Sequence, residues 1–134
     1  MRFAEFENLE TPRLLLRRIR MDDILEYYEQ LFGDGDVCRY LLFDPHQDIS
    51  ESMASIEKTL ARYEEGRCYR WGIALQEDDR LIGIIELLRF DQETNTCSFV
   101  YMLSCGSWNQ GYGTEALSAV IRFAFEKMDI DRIL

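Results

Sequence analysis

The sequence predicts a mixed α/β domain, and three stretches predict it. Ser98 to Phe125 (SFVYMLSCGSWNQGYGTEALSAVIRFAF) reads as a strand, a glycine-bearing loop and a helix in direct succession. Residues 69–103 read as a three-stranded meander with short turns, and residues 22–66 carry two segments with apolar residues at helical spacing.

In chain order, Thr11-Pro12 marks the entry to a first strand, Arg13 to Arg20. Asp22 and Asp23 open a helix with an apolar face of Ile24, Leu25, Tyr28, Leu31 and Phe32, and Gly33-Asp34-Gly35 stops it. Val37 to Phe43 predicts a further helical turn or two, within a connection from Gly33 to Gln47 long enough either to carry function or simply to connect. Asp48 and Glu51 have the spacing of a capping box, and Ile49, Met53, Ile56, Leu60 and Tyr63 line a helix ending at Gly66. Strands follow at Tyr69 to Gln76, at Leu81 to Phe90 with Gly83 inside it, and at Thr96 to Leu103. From Thr114 the apolar residues Leu117, Val120, Ile121, Ala124 and Met128 face a core, opposite a polar stripe of Glu115, Ser118, Arg122, Glu126 and Asp129. No internal repeat, linker or low-complexity segment interrupts the pattern, so residues 1–134 read as one domain.

Composition narrows the function classes. A net charge of −10, from 25 acidic and 15 basic side chains, disfavours non-specific binding to nucleic acid or anionic membranes and favours a cationic substrate. No apolar run has the length of a membrane span, and the acidic Met1 to Glu10 stretch does not look like a signal peptide, so a cytosolic protein is expected. Cys38, Cys68, Cys97 and Cys105 are widely spaced and His46 is the only histidine, which predicts reduced thiols and no metal site. Cys105 lies beside the glycine loop with no histidine near it in sequence, and a structural role is expected of it.

A strand that feeds a glycine loop opening a helix can bind an anion. Glycine permits a sharp turn and close approach, so N–H groups can converge beside the positive end of the helix dipole. The same pattern also occurs as a plain connection. Gly111-x-Gly113-x-x-Ala116 matches the dinucleotide fingerprint literally, but no second strand with an acidic residue follows at the required distance.

Three motifs carry a family resemblance: Thr11-Pro12-Arg13-Leu14-Leu15-Leu16-Arg17, Asp36-Val37-Cys38-Arg39-Tyr40-Leu41, and Trp108-Asn109-Gln110-Gly111-Tyr112-Gly113-Thr114-Glu115-Ala116-Leu117 continued by Phe123-Ala124-Phe125-Glu126. The chain resembles the GCN5-related N-acetyltransferase superfamily, in particular the branch that acetylates N-termini of ribosomal proteins. The resemblance implies an acyltransferase fold, a mixed and mostly antiparallel sheet flanked by helices. It implies acetyl-CoA as cofactor, with its pyrophosphate on Trp108, Asn109, Gln110, Gly111, Tyr112, Gly113 and Thr114 and its pantetheine arm along Met102 and Leu103. It implies an amine acceptor, a protein N-terminus or a small molecule, that attacks the thioester directly while the Leu103 N–H polarises the acetyl oxygen.

The sequence also departs from the family. Trp108 stands where many superfamily members have Gln or Arg, and Ser98 stands where the branch often has a Glu, which leaves Glu86 as the nearest carboxylate to act as base. Family members continue beyond the segment matching Asp131 to Leu134, so the resemblance implies a domain incomplete at its C-terminus, a homodimer formed through the uncovered strand edge, and weak transfer by this chain alone. The competing expectation is a non-catalytic module that binds acetyl-CoA or assembles with a partner.

Overall fold

The computed structural model describes residues 1–134, the side chain of Tyr40 excepted. Six strands form one sheet in chain order: β1 (Leu9–Glu10), β2 (Leu14–Arg17), β3 (Tyr69–Leu75), β4 (Leu81–Asp91), β5 (Thr96–Leu103) and β6 (Arg132–Ile133). Neighbours are antiparallel except β5 and β6, which run parallel and pair only at Thr96 with Arg132 and Cys97 with Ile133. Beyond Cys97 the outer edge of β5 is left to the site described below. The expected first strand is thus shorter than its apolar run, and β1 forms a hairpin with it that the sequence did not announce.

Helices cover both faces of the sheet. On one lie α1, a helical segment over 21–32, α2 (Gly35–Tyr40) and α3 (Ile49–Glu65); on the other lies α4 (Tyr112–Lys127). A register shift at Ile73/Ala74 rotates the β4 side chains, so Leu81 and Ile84 join the core under α1 to α3 while Ile82 and Ile85 join the one under α4. None of the described helices is long and apolar enough to cross a membrane.

Two helix faces differ from their expected phase. The last two turns of α1, Tyr27–Phe32, are wound as a π-helix, which advances the face: Tyr27 and Leu31 are buried, whereas Leu25 is 55% exposed. In α3 (Ile49–Glu65) Asp48 caps the first turn through the N–H groups of Ser50 and Glu51, but the Glu51 carboxylate accepts from the N–H of Gln47 rather than from that of Asp48. Ser52, Ile56, Thr59 and Tyr63 are the buried residues there, and Ile49 and Met53 stand at the surface. Burying Ser52 is tolerable because its hydroxyl meets His46 Nδ1 at 2.7 Å.

On α4 the buried residues are Ala116, Val120, Phe123 and Ala124, while Leu117 and Ile121 are half-buried. Phe123 meets Trp71 edge to face at 5.4 Å, and Phe6 from the N-terminal segment stacks on Trp71 at 5.2 Å. The segment before β1 therefore closes this core, with Trp71 Nε1 donating to the Glu7 carbonyl.

The two arginines of the Thr11 to Arg17 motif do different things. Arg17 is 3% exposed, holds both oxygens of Asp23 at 2.9 and 3.0 Å and donates through Nε to Asp79. It thereby ties the start of α1 to the β3–β4 turn. Arg13 belongs to the site.

Candidate active site

The site is built where β5 ends. Ser104 N–H donates to the Ile82 carbonyl, so Ile82 and Ser104 are a hydrogen-bonded pair and the adjacent Gly83/Leu103 pair is not. The Leu103 N–H therefore points away from β4, toward the outer edge of the sheet. The Leu103 carbonyl, on the same edge, is occupied by Trp108 Nε1 at 2.9 Å. Gly83 makes this strand pairing possible: a Cβ there would stand 2.4 Å from the Met102 carbonyl oxygen.

After β5 a single 3-10 turn, Cys105–Ser107, leads into the glycine loop. Asn109 (φ 61) and Gly111 (φ 83) adopt left-handed conformations, which asparagine tolerates and glycine adopts without strain. Gly111 is the N-cap of α4 and brings no side-chain cap to it. Among the described residues, no hydrogen-bond acceptor meets the N–H groups of residues 111–114, whereas Glu115 N–H returns to the Gly111 carbonyl. Four donors at the positive end of a sixteen-residue helix suit an anion.

These N–H groups border a cleft of about 590 Å³. Of the residues expected to hold a cofactor, Met102, Leu103, Trp108, Asn109, Gly111, Tyr112, Gly113 and Thr114 line it. Gln110 does not: its side chain donates to the Gly106 carbonyl and its own carbonyl accepts from Arg13. Val37 of α2 and Leu41 just after it, inside the connection that sequence reasoning could not assign, form a further wall, and Tyr101 also lines the cleft. A Cβ on Gly113 would come within 3.1 Å of that ring, so the second glycine keeps loop and strand in contact.

Glu86 stands elsewhere. It is 5% exposed, does not line the cleft, and has an arginine on each oxygen: Arg62 Nη2 at 2.7 Å and Arg70 Nη1 at 2.8 Å. Arg70 also reaches the Tyr27 hydroxyl, and the Tyr63 hydroxyl donates to the Arg70 carbonyl while accepting from Ile19 N–H. Burial pushes the Tyr63 phenol up to about 12. Glu86 is therefore the centre of an ion-pair network linking α3 to the sheet, and neither the solvated side chain usual for a strand glutamate nor a base free to face the cleft.

Asp34, Asp36 and Asp44 cluster in sequence in the connection over which a cationic amine is expected to approach, and the first two are partly committed to structure. Asp34 caps α2 through the N–H groups of Asp36 and Val37, and Asp36 pairs with Arg39. Their carboxylate oxygens and the Cys105 sulfur lie within 4.8 Å of one another. Burial and the charges of Asp34 and Asp36 push the Cys105 thiol up, so it is protonated at neutral pH and a poor nucleophile.

Sequence reasoning missed Arg13 and Thr11 as parts of the loop's support, and it read Glu115 as part of a solvent stripe. Glu115 instead accepts from Arg13 N–H at 2.9 Å, from Arg13 Nε at 2.8 Å and from the Thr11 hydroxyl. Only the recurrence of both segments in known motifs pointed at them, since 102 residues separate Arg13 from Glu115.

The chain and its fold are similar to known proteins. The chain is 30% identical over 128 residues to the uncharacterised N-acetyltransferase YoaA of Bacillus subtilis (strain 168), covering 96% of this chain and 72% of the relative. It is 29% identical over 127 residues to the uncharacterised N-acetyltransferase p20 of Bacillus licheniformis, covering 95% and 71%. The structure of a protein assigned as a ribosomal-protein-serine acetyltransferase from Vibrio cholerae superposes with a TM-score of 0.83 at 25% identity, over 97% of this chain and 73% of that one. The family profile described as the acetyltransferase (GNAT) domain matches residues 13–134. With that match over nearly the whole length, the chain is a member of the GNAT acetyltransferase family.

Proposed function

We propose that this acetyltransferase takes its acetyl group from acetyl-CoA and passes it to a primary amine. The observation that carries the reading is that one cleft is bordered by both the free N–H groups of residues 111–114 and the outward N–H of Leu103. The residues fit the cofactor: the left-handed Gly111 brings backbone donors forward without side-chain bulk, and the strand edge beyond Cys97 leaves room for an extended arm beside Met102 and Leu103. Bound acetyl-CoA supplies an acyl thioester, whose carbonyl develops negative charge when an amine attacks.

The chain's own groups then have separate tasks. The loop N–H groups hold phosphate. Leu103 N–H offers the fixed donor toward the acyl oxygen, and Trp108 holds that stretch of backbone through the neighbouring carbonyl. A prepositioned donor of this kind is worth about a hundredfold or more in rate. Val37 and Leu41 form an apolar wall of the cleft. The amine attacks as its free base, the C–N bond forms as the C–S bond breaks, and the proton that the amine loses balances the one that the leaving thiolate gains, so turnover rises with the amine's own ionisation. Asp34 and Asp36, beside this wall, attract a cationic acceptor, and salt raises its KM more than that of acetyl-CoA.

The test is thiol release from acetyl-CoA with a panel of small amines and N-terminal peptides, beside calorimetry of acetyl-CoA binding to the wild-type protein and Gly111→Val. A β-branched side chain at φ 83 is strained and obstructs the approach of an anion, so affinity falls about tenfold or more. A folded Gly111→Val protein that binds acetyl-CoA as tightly as the wild type sinks the reading.

A further inference from the structure

Four contacts of Arg13 fasten the entry to β2 onto the start of α4. Arg13 Nη1 donates to the Gln110 carbonyl at 2.9 Å, its guanidinium lies 4.2 Å over the Tyr112 ring, and its Nε and main-chain N–H meet the two oxygens of Glu115. One arginine thus touches residues 110, 112 and 115, on both sides of the left-handed Gly111.

The charge at Glu115 calls for such a partner. A carboxylate in the first turn of a helix is favourable for the empty helix, because it answers the dipole, but it opposes any anion that comes to the same end. The Glu115 side chain is only 17% exposed, so water screens it little. Arg13 cancels that charge and at the same time turns the Gln110 carbonyl away from the cleft, where it would repel phosphate.

We propose that Arg13 and Glu115 are positioning residues for the phosphate-bearing part of the donor: a charge-neutral bracket that fixes the anion loop and removes two negative groups, the Glu115 carboxylate and the Gln110 carbonyl, from its field. The proposal rests on the acetyl-CoA reading above. Neither residue touches the reacting atoms, so loss of the bracket raises the KM for acetyl-CoA and leaves kcat nearly unchanged.

The experiment compares affinities for coenzyme A and for pantetheine, which lacks the phosphates, by magnetic resonance titration of the wild type, Arg13→Gln, Glu115→Gln and the double variant, with thermal melts as the control for folding. Arg13→Gln is expected to bind coenzyme A about tenfold more weakly and pantetheine within twofold of the wild type. The double variant regains at least threefold over Arg13→Gln, because the unmatched carboxylate is gone, and the gain shrinks in 0.5 M salt. Should Arg13→Gln fail to fold, Arg13→Lys keeps the charge while losing the fork, and a roughly threefold weakening confined to coenzyme A is expected of it. Unchanged coenzyme A affinity in the Arg13 variant, equal losses for both ligands, or a double variant no better than Arg13→Gln overturns the bracket. Failure of the underlying reading is distinguishable, since there Gly111→Val also leaves coenzyme A binding intact; sensitivity to Gly111→Val with indifference to Arg13 overturns the bracket alone.

Discussion

Replacing Glu86 by Gln separates a structural carboxylate from a catalytic one. Both oxygens of Glu86 are taken by guanidinium groups, and the side chains of Glu86, Arg70 and Arg62 are 6%, 15% and 40% exposed. Breaking a buried ion pair by removing one partner costs about 3–5 kcal/mol, because the other charge is left uncompensated. Arg70 is in that position; Arg62 reaches water and its pairing contributes little. The glutamine oxygen keeps one hydrogen bond, but its NH₂ confronts the second arginine with a donor against a donor, so a net loss of about 3 kcal/mol is expected. With an unfolding entropy of about 2.1 cal/mol/K per residue over 134 residues, that lowers the thermal midpoint by about 10 °C. Melts followed by circular dichroism measure it, and thiol release at a temperature where both proteins are folded measures kcat, expected within about threefold of the wild type. An unchanged midpoint together with a hundredfold or greater loss of kcat would show that Glu86 works in the chemistry and that its ion pairs are incidental.

Two further outcomes follow from ionisation. Burial acts to raise the carboxyls of Glu115 and Asp79, but hydrogen bonds from Thr11 and Arg13 to the first, and from Arg20 and Arg17 to the second, hold both below their ordinary values of 4.5 and 3.8. Carboxyls depressed in the folded state contribute stability that is fully present above those ordinary values and is lost as pH falls through the folded ones, so urea midpoints should drop below about pH 4.5 and drop less steeply in Glu115→Gln; stability that holds or rises on acidification to pH 3 would contradict this. Cys105, whose thiol is pushed up by burial and by Asp34 and Asp36, should react with iodoacetamide at pH 7.5 more slowly than free cysteine, and a rate equal to that of the free amino acid would refute it.

What the sequence made legible was local. The meander strands are short runs between turn residues, and the glycine loop with its helix is continuous in the chain, so periodicity and turn chemistry located them within two residues at most positions. What it concealed depended on partners far away. Glu115 looks like a surface residue until Arg13 is brought to it across 102 positions, and Glu86 looks like a solvated strand residue until α3 delivers Arg62. The phase of α1 failed because a widened turn has no mark in apolar spacing, and Phe3 and Phe6 were passed over because an irregular segment has no period at all. Val37 and Leu41 lay in a connection of unassigned purpose and became one wall of the cleft only through packing.

The central claim is that one cleft, bounded by the loop at residues 109–114 and the edge of β5 at Leu103, receives the acyl donor. An amide-resolved magnetic resonance titration of the protein with coenzyme A tests it most directly. The account predicts that the largest shifts fall on the N–H groups of Gly111 to Thr114 and on Leu103, with saturation at a single constant. Shifts concentrated instead around the separate hollow bordered by Phe6, Arg18, Tyr63 and Cys68, with the loop amides unmoved, would contradict it.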